Sequence, residues 1–148
     1  MRISAKARYG LAAIVTMAEK VDLNQCVTVI SLAEKLNISK IYLEQVFSLL
    51  KRSGLVNSIK GAQGGYHLAR PINEISVYDI LVAVEPNLFE KTEKTVQESN
   101  EIMEKVIGES VFDALDNSVK GVLSDISLED IVAQIEKSSN SDNYMFYL

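Results

Sequence analysis

The sequence predicts a mainly α-helical fold with one small β-hairpin. In several segments apolar residues recur at three- and four-residue steps, which is typical of helices that bury one face. Residues 55–69 instead alternate apolar and polar side chains around a glycine-rich turn, which is typical of a hairpin. With 148 residues, the chain can bury a core as one domain or as a small domain with an appendage.

The charges of the chain are divided unevenly between its two halves. Residues 1–70 contain ten Lys and Arg against four Asp and Glu, a net charge of +6. Residues 71–148 contain five against sixteen, a net charge of −11. A basic half beside an acidic half is expected when one part of a protein meets a polyanion such as a nucleic acid. An enzyme with an acidic surface has no reason to separate its charges in this way.

The chain carries no signal for a membrane or for secretion. No apolar run approaches the roughly 18 residues that would span a bilayer. The basic N-terminus lacks the apolar segment and cleavage site of a signal peptide. The single cysteine, Cys26, excludes an internal disulfide framework and fits a reducing compartment. These observations predict a cytoplasmic protein without membrane contact.

Three predicted helices follow one another at the spacing of a helix-turn-helix. The first runs from its cap Ser4 to about Lys20, and the second begins at Thr28. Residues 37–39 then form a tight turn, in which Ser39 caps the third helix. Lys6 and Arg8 oppose the dipole of the first helix, a cost that is acceptable where a DNA phosphate lies nearby. Ordinary solvated charges are an equally good interpretation of these two residues.

The third helix, residues 40–52, has two distinct faces. The predicted core face consists of Leu43, Val46, Phe47 and Leu50. The outer face begins at Ser39 and Lys40 and contains Ile41, Gln45, Ser48 and Arg52, flanked by Tyr42 and Glu44. In the major groove, Gln can pair with adenine and a carboxylate with cytosine, so this face is a candidate for reading DNA. The alternative is an ordinary amphipathic helix with two exposed apolar residues.

A basic hairpin follows the third helix. Strands are predicted over residues 55–60 and 66–69, joined by the turn 61–65 and ended by Pro71. The glycine-rich turn lacks the Lys-Ser/Thr pair and the following helix of a phosphate-binding P-loop. A wing that follows the minor groove or the phosphates fits better, with Lys60 as its cation and Gln63 at its tip. His67, without other ligands nearby in sequence, is expected to be a surface residue and no metal site.

A fourth helix, from Ser76 to about Glu85, would complete a winged helix-turn-helix DNA-binding domain over residues 1–86. Residues 87–94 are predicted to be a linker. A long helix over about 95–125 would span roughly 45 Å, more than a small domain needs, and therefore predicts a dimerisation helix.

The C-terminal end is predicted to contain a short helix, a polar tether and an apolar tail. Ser127 and Asp130 occupy capping-box positions at the start of the short helix. Residues 137–143 are polar, and five large apolar residues follow: Tyr144, Met145, Phe146, Tyr147 and Leu148. This tail either docks onto its own dimer or binds a partner protein.

Several motifs in the correct order resemble the Rrf2 family of bacterial transcription regulators. They are Ser4-Ala-Lys-Ala-Arg-Tyr-Gly, Tyr42-Leu-Glu-Gln, Ser53-Gly-Leu-Val and Lys60-Gly-x-x-Gly-Gly-Tyr-x-Leu-Ala-Arg. The resemblance is dense over the first 86 residues. It implies a homodimeric winged helix that binds palindromic double-stranded DNA, with one recognition helix in each major groove. It also implies base or backbone contacts by Tyr42, Glu44 and Gln45, and a minor-groove contact by Lys60.

Many members of this family hold a [2Fe-2S] cluster on three cysteines before the long helix. Residues 87–110 of this chain contain neither Cys nor His, so no cluster and no other cofactor is expected. The cysteine-free linker and the Tyr-Met-Phe-Tyr ending resemble the branch of cysteine-metabolism repressors. That resemblance implies repression of sulfur-assimilation genes and a complex with cysteine synthase. The synthase accepts C-terminal peptides that usually end in Ile, whereas this chain ends in Leu148.

Other functions were weighed against a repressor that signals through a protein partner. Cys26 could sense oxidants, but the nearest basic residue before it is Lys20, and a passive thiol is favoured. The chain could also be a cluster-free regulator of unrelated genes. An enzyme is not expected, because one His, one Cys and scattered carboxylates offer no catalytic residue.

Overall fold

The computed structural model describes residues 2–20, 25–62, 64–91, 93–96 and 100–146, and of residues 143–146 the backbone only. In this part of the chain the fold is mainly helical with one antiparallel hairpin, which confirms the predicted fold class. The elements before the linker are α1 (Ala5–Ala18), α2 (Val29–Leu36), α3 (Lys40–Arg52), β1 (Val56–Ile59), β2 (Gly65–Leu68), a 3-10 turn (Ile72–Glu74) and α4 (Val77–Val84). The later elements are α5 (Glu101–Ile107), a π-helical segment (Gly108–Asp113), α6 (Ala114–Ser124) and α7 (Leu128–Phe146).

The first four helices begin where the sequence predicted, and each is capped there by a side chain: Ser4, Thr28, Ser39 and Ser76. Ser4 Oγ accepts a hydrogen bond from the backbone of Ala7 at 3.1 Å, and Thr28 Oγ1 accepts one from Ser31 at 3.1 Å. Ser39 caps α3, and Ser76 forms a complete capping box at the start of α4. Each cap satisfies a backbone N–H that the first helical turn leaves without a partner. Local chemistry therefore fixes where these helices start.

Close packing of α1 against α3 and α4 forms the centre of the core. The four residues predicted for the core face of α3 are all fully buried. Gly10 of α1 allows the close approach, because a Cβ there would lie 2.8 Å from Val84 Cγ2 and 3.3 Å from Val46 Cγ1. A larger residue at this position would push α1 away from both helices.

The wing is tied to the core by a short third strand segment. β1 and β2 pair antiparallel, with Val56 opposite Leu68 and Ile59 opposite Gly65. Val27, in the loop before α2, exchanges two backbone hydrogen bonds with Tyr66 of β2, at 2.7 and 2.8 Å. Gly65 has φ +154°, and a Cβ there would lie 2.6 Å from the Val27 carbonyl oxygen. This bridge fixes the base of the wing, and no pattern in the sequence predicts it.

The C-terminal helices differ from the prediction in both position and length. The long helix begins at Glu101, so residues 95 and 96 lie outside it. The helix after Ser127 has 19 residues, so the predicted short helix and polar tether 137–143 are wrong. None of residues 137–143 is Gly or Pro, and the residues there cost at most about 0.7 kcal/mol each in a helix. A helix that is well anchored at its start can extend through them.

That anchor is the junction between α6 and α7. Ser127 and Asp130 form the predicted reciprocal capping hydrogen bonds, at 2.9 and 3.0 Å. The hydrogen bonds from the Ser127 backbone N–H and hydroxyl lower the pKa of Asp130. The Val77 N–H donates to the Ile126 carbonyl at 2.8 Å, and Leu128 of α7 is fully buried in the main core. The first turn of α7 is therefore part of the same packed body as the winged helix.

The beginning of the linker packs against α4 and α6. The ring of Phe89 stacks on Tyr78, with 5.8 Å between centroids, and Lys120 Nζ lies 5.0 Å from the centroid of Phe89. Leu88 packs with the small cluster around Val77. These contacts attach the polypeptide after α4 to the long helix.

An exposed apolar stripe runs along the long helix. Its exposed members are Ile102, Met103, Val106, Ile107, Val111, Leu115 and Val122. In an uninterrupted α-helix, each residue turns by 100° about the axis. The stripe residues of α6 would then point in a direction about 130° away from those of α5. A π-helical segment turns by only about 80° per residue, so its six residues reduce that offset to about 30°. The π-helical segment therefore aligns both halves of the stripe on one face.

None of the described helices combines the length and the apolar character that a membrane crossing requires.

Candidate nucleic-acid interface

The outer face of α3 presents polar and charged side chains to solvent. The exposed residues among those predicted are Ser39, Lys40, Ile41, Glu44, Gln45, Ser48 and Arg52. The opposite face of α3 is fully buried in the core, so this face is the one that the helix presents to solvent. The geometry is that of a helix whose outer row of side chains can enter a groove.

Tyr42 differs from its neighbours because its side chain is half-buried and packs against the main core. Its ring meets Tyr9 of α1 edge-to-face, with 5.5 Å between centroids and 83° between ring planes. Tyr9 is itself 40% exposed. Tyr9 thus fixes the direction of Tyr42 and brings the start of α1 next to the start of α3. Tyr9 lies in the first family-like motif, but no sequence pattern marks it as a neighbour of Tyr42.

The two charged residues in the first turns of α3 pair with each other. Lys40 Nζ lies 3.6 Å from Glu44 Oε1, and both side chains are more than half exposed. An exposed pair four residues apart in a helix contributes at most about 0.5 kcal/mol. Both groups can therefore exchange this contact for a phosphate or a base edge at little cost.

The predicted basic residues of α1 surround its N-terminus. Ser4 and Lys6 are half-buried and Arg8 is exposed. Because Tyr9 contacts α3, these residues belong to the end of α1 that lies nearest the recognition helix. Whether their charges meet the DNA backbone remains a prediction, and the structure gives their exposure and the Tyr9 contact beside them.

At the wing, Lys60 is exposed immediately after β1, and Gly61 has φ +116°. Gln63, the predicted tip residue, lies outside the described residues. At the other end of the wing, Arg70 Nη2 lies 3.5 Å from Asp79 Oδ2, and the same oxygen accepts the backbone N–H of Ser76. The capping box of α4 is thus also an anchor for the wing, a role that the sequence analysis missed.

The sole histidine and the sole cysteine both lie near the base of the wing. His67 in β2 is half-buried, and its buried Nδ1 has no hydrogen-bond partner among the described residues, so the expectation of a simple surface residue is wrong. Cys26 is half-buried, and its Cβ lies 3.3 Å from the position that a Cβ on Gly65 would take. Across the described residues, no group of three or more His, Cys, Asp or Glu side chains could hold a metal ion.

The other candidate partner site is the C-terminal tail. Tyr144, Met145 and Phe146 end α7 in the backbone, so a helical end stands where a tail after a polar tether was predicted. Tyr147 and Leu148 lie outside the described residues.

Comparison with known proteins identifies the family. The profile of Rrf2, described as an iron-dependent transcriptional regulator, matches residues 3–134. The chain belongs to the Rrf2 family. The regulator CymR of Bacillus subtilis is 34% identical over 148 residues, which is all of both chains. IscR of Photorhabdus laumondii is 33% identical over 132 residues, 89% of this chain and 79% of that protein.

Solved structures agree with this assignment. The structure of CymR (YrzC), named the global cysteine regulator of B. subtilis, has a TM-score of 0.74 and 34% identity. The match covers 90% of this chain and 98% of that one. These relatives of the Rrf2 family are transcriptional regulators and not enzymes, and the winged helix-turn-helix is the fold they share with this chain.

The iron in the family description does not fit the donor atoms of this chain. Protein-bound iron–sulfur clusters are held mainly by several cysteine thiolates. This chain has one cysteine, Cys26, which precedes α2 and lies beside the wing. The segment before the long helix contains no Cys. The residues present therefore do not provide the ligands that such a cluster needs.

Proposed function

We propose that this member of the Rrf2 family is a homodimeric repressor that binds palindromic double-stranded DNA. The observation that carries the proposal is the recognition surface. An outer face of polar side chains on α3 stands beside a tyrosine that Tyr9 holds in place. Its position in a half of the chain with net charge +6 supports a polyanionic partner.

The proposed contacts divide into three groups. Base edges in the major groove would meet the outer face of α3, whose residues are Ser39, Lys40, Ile41, Tyr42, Glu44, Gln45, Ser48 and Arg52. The phosphates beside that groove would meet Ser4, Lys6 and Arg8 of α1. The wing would reach the minor groove with Lys60 and Gln63.

The apolar stripe of the long helix supports the homodimer. Its residues lie on one face and are exposed in the described part of the protomer. A second copy of the chain is the simplest partner that would bury this stripe. A two-fold pairing of the copies would present two recognition helices to the two halves of a palindrome. A shallow groove of about 550 Å³ beside Ile131 and Ile135 of α7 offers further apolar surface to the same partner.

We further propose that the repressed genes belong to cysteine and sulfur metabolism, in the cytoplasm. The support is similarity over the whole chain to CymR, whose structure is named for global cysteine regulation. Cysteine synthase is the proposed protein partner, and residues 144–148 are its proposed binding segment. No iron–sulfur cluster takes part, because the chain lacks the cysteines for one.

Redox sensing by Cys26 is the second candidate. The observation that favours it is the position of Cys26 against Gly65 at the base of the wing. Oxidation to a bulkier sulfenic acid would press on β2 and so alter DNA contact by the wing. Under this candidate, Cys26→Ser abolishes the response of DNA affinity to peroxide. Under the main proposal, the variant responds like the wild type.

The DNA-binding proposal is tested by selecting duplexes from a random pool with the full-length protein, followed by a salt titration. The selected sequence should be a palindrome, and the logarithm of affinity should fall steeply with the logarithm of salt concentration. A pool that is not enriched, or a flat salt dependence, would refute DNA recognition. Removal of residues 144–148 should leave DNA affinity unchanged and abolish binding of cysteine synthase. If the truncation dissolves the dimer, the tail serves assembly instead.

A further inference from the structure

Ile41 is more exposed than any other large apolar side chain of the described winged helix. Its side chain is 71% exposed, against 52% for Ile30, 48% for Ile59 and 40% for Tyr9. Isolated exposed apolar residues are common on protein surfaces and need no explanation by themselves. The position of Ile41 is what distinguishes it, because it is the second residue of α3, on the face that otherwise carries polar and charged groups.

The neighbours of Ile41 are occupied with other contacts, so its side chain stands free. Tyr42 is turned towards Tyr9 and the core. Lys40 and Glu44 pair with each other across the adjacent edge of the helix. On its own side Ile41 shares a row with Gln45 and Ser48, since residues four and seven positions apart lie on one helical face. The row thus combines one branched apolar group with an amide and a hydroxyl.

The major groove contains one prominent apolar group that matches such a side chain. Thymine carries a 5-methyl group there, whereas the other base edges present hydrogen-bond donors and acceptors. Near the N-terminus of a recognition helix, side chains reach the base edges first. A branched aliphatic side chain gains little from a phosphate or a polar base edge, but it is stabilised by covering a methyl group.

We infer that Ile41 is a specificity-determining residue that contacts the 5-methyl group of one thymine in each half-site. This inference rests on the proposed DNA-binding function. It assigns Ile41 a preference for a particular base, which a general contact with the DNA surface would not produce. The preference is apolar, so it is independent of the hydrogen bonds of Gln45 and Glu44.

The test uses a duplex that the full-length wild-type protein has selected from a random pool. Each thymine of one half-site is replaced in turn by deoxyuridine, which lacks only the methyl group. Affinity is measured by fluorescence anisotropy for the wild type, Ile41→Ala and Ile30→Ala. Ile30 is the matched control, because it is also the second residue of its helix and is half exposed. Thermal unfolding of each variant shows that the fold is retained.

One replacement should weaken the wild type and Ile30→Ala by about fourfold, the effect of one buried methyl group. The same replacement should leave the affinity of Ile41→Ala unchanged. The inference is overturned if no replacement weakens the wild type, or if Ile41→Ala loses as much affinity as the wild type. Failure of the wild type to select any sequence would refute DNA recognition itself, so the two failures are distinguishable.

Discussion

At the scale of single residues, the recognition surface combines fixed and free side chains. Tyr42 is held by Tyr9, whereas Ile41 and Gln45 are exposed. A helical wheel favours Ile41 and Gln45 as readers, while the family-like motif favours Tyr42 and Glu44. The half-buried Tyr42 can reach DNA only if the first turn of α3 tilts into the groove. We therefore predict that α3 is tilted in the groove so that its first turn enters first. Tyr9 would then hold Tyr42 in the orientation in which it contacts DNA.

Replacing Tyr9 by Leu should weaken DNA binding about three- to tenfold. The edge-to-face contact stabilises the position of Tyr42 by about 0.5 to 1.5 kcal/mol, and its loss lets the ring leave the orientation that DNA requires. Anisotropy titrations with a selected duplex measure the effect. Tyr78→Leu is the matched control, because it removes the stacking contact with Phe89 and leaves α3 untouched. Equal affinities of the two variants for the duplex would show that Tyr9 does not position Tyr42 for DNA binding.

Gly10→Ala should destabilise the fold by about 1 to 3 kcal/mol through overpacking. The added Cβ would lie 2.8 Å from Val84 Cγ2. The free-energy cost of this overpacking exceeds the gain of about 1 kcal/mol from the better helix propensity of Ala. Gly108→Ala is the control, because a Cβ there meets no atom within 4 Å. Urea unfolding should show a loss for the first variant and no loss for the second. Comparable stabilities would mean that α1 can move away from α4 freely.

At the scale of elements, the sequence predicted what local chemistry determines. The caps Ser4 and Ser39, the start of α2 at Thr28 and the core face of α3 follow from short-range patterns, and the structure has them where expected. The bridge between Val27 and Tyr66 joins distant residues and has no local signature. The same holds for the packing of Tyr42 on Tyr9. The features of the site that sequence patterns did not predict are thus the ones that depend on tertiary contacts.

The end of the chain was mispredicted for a different reason. Residues 137–143 have the composition of a tether, but a helix needs only the absence of strong breakers once packing has started it. Leu128 and Val132 supply that packing at the beginning of α7. The π-helical segment was missed because the prediction was one continuous helix, which in α-helical form turns by 100° per residue throughout. Under that assumption the apolar stripe drifts around the helix.

Deleting Glu109 should preserve the dimer. A π-helical turn contains one residue more than an α-helical turn, so the shortened chain can form a continuous α-helix with the stripe still aligned. Deleting Asn117 in α6 instead rotates α5 and the start of α6 by about 100° relative to the rest of α6, so Val122 leaves the face of the other stripe residues. Sedimentation equilibrium should give a dimer for the first deletion and weaker association for the second. Loss of the dimer in both would show that the π-helical segment does not set the alignment.

At the scale of the whole molecule, the surfaces proposed for DNA recognition and for assembly lie in different halves of the chain. The basic half carries α3 and the wing, and the acidic half carries the apolar stripe. The junction at Ile126 and Leu128 hydrogen-bonds to the residues that begin α4, so the two functions are parts of one packed body. A two-fold contact through the stripe would therefore fix the distance between two recognition helices. The spacing of the half-sites would follow from that distance.

Leu115→Glu should convert the dimer into a monomer and lower affinity for a palindromic duplex by at least about 100-fold. Leu115 is 55% exposed at the middle of the stripe, so a carboxylate there leaves the protomer folded but would be buried without a partner in the dimer. Asn117→Glu adds the same charge on another face of α6 and is the matched control. Light scattering gives the mass, and titrations compare duplexes with one and two half-sites. The wild type and the control should prefer two half-sites, whereas the Leu115 variant should bind both duplexes equally. A Leu115 variant that remains a dimer would place the contact between protomers on another surface.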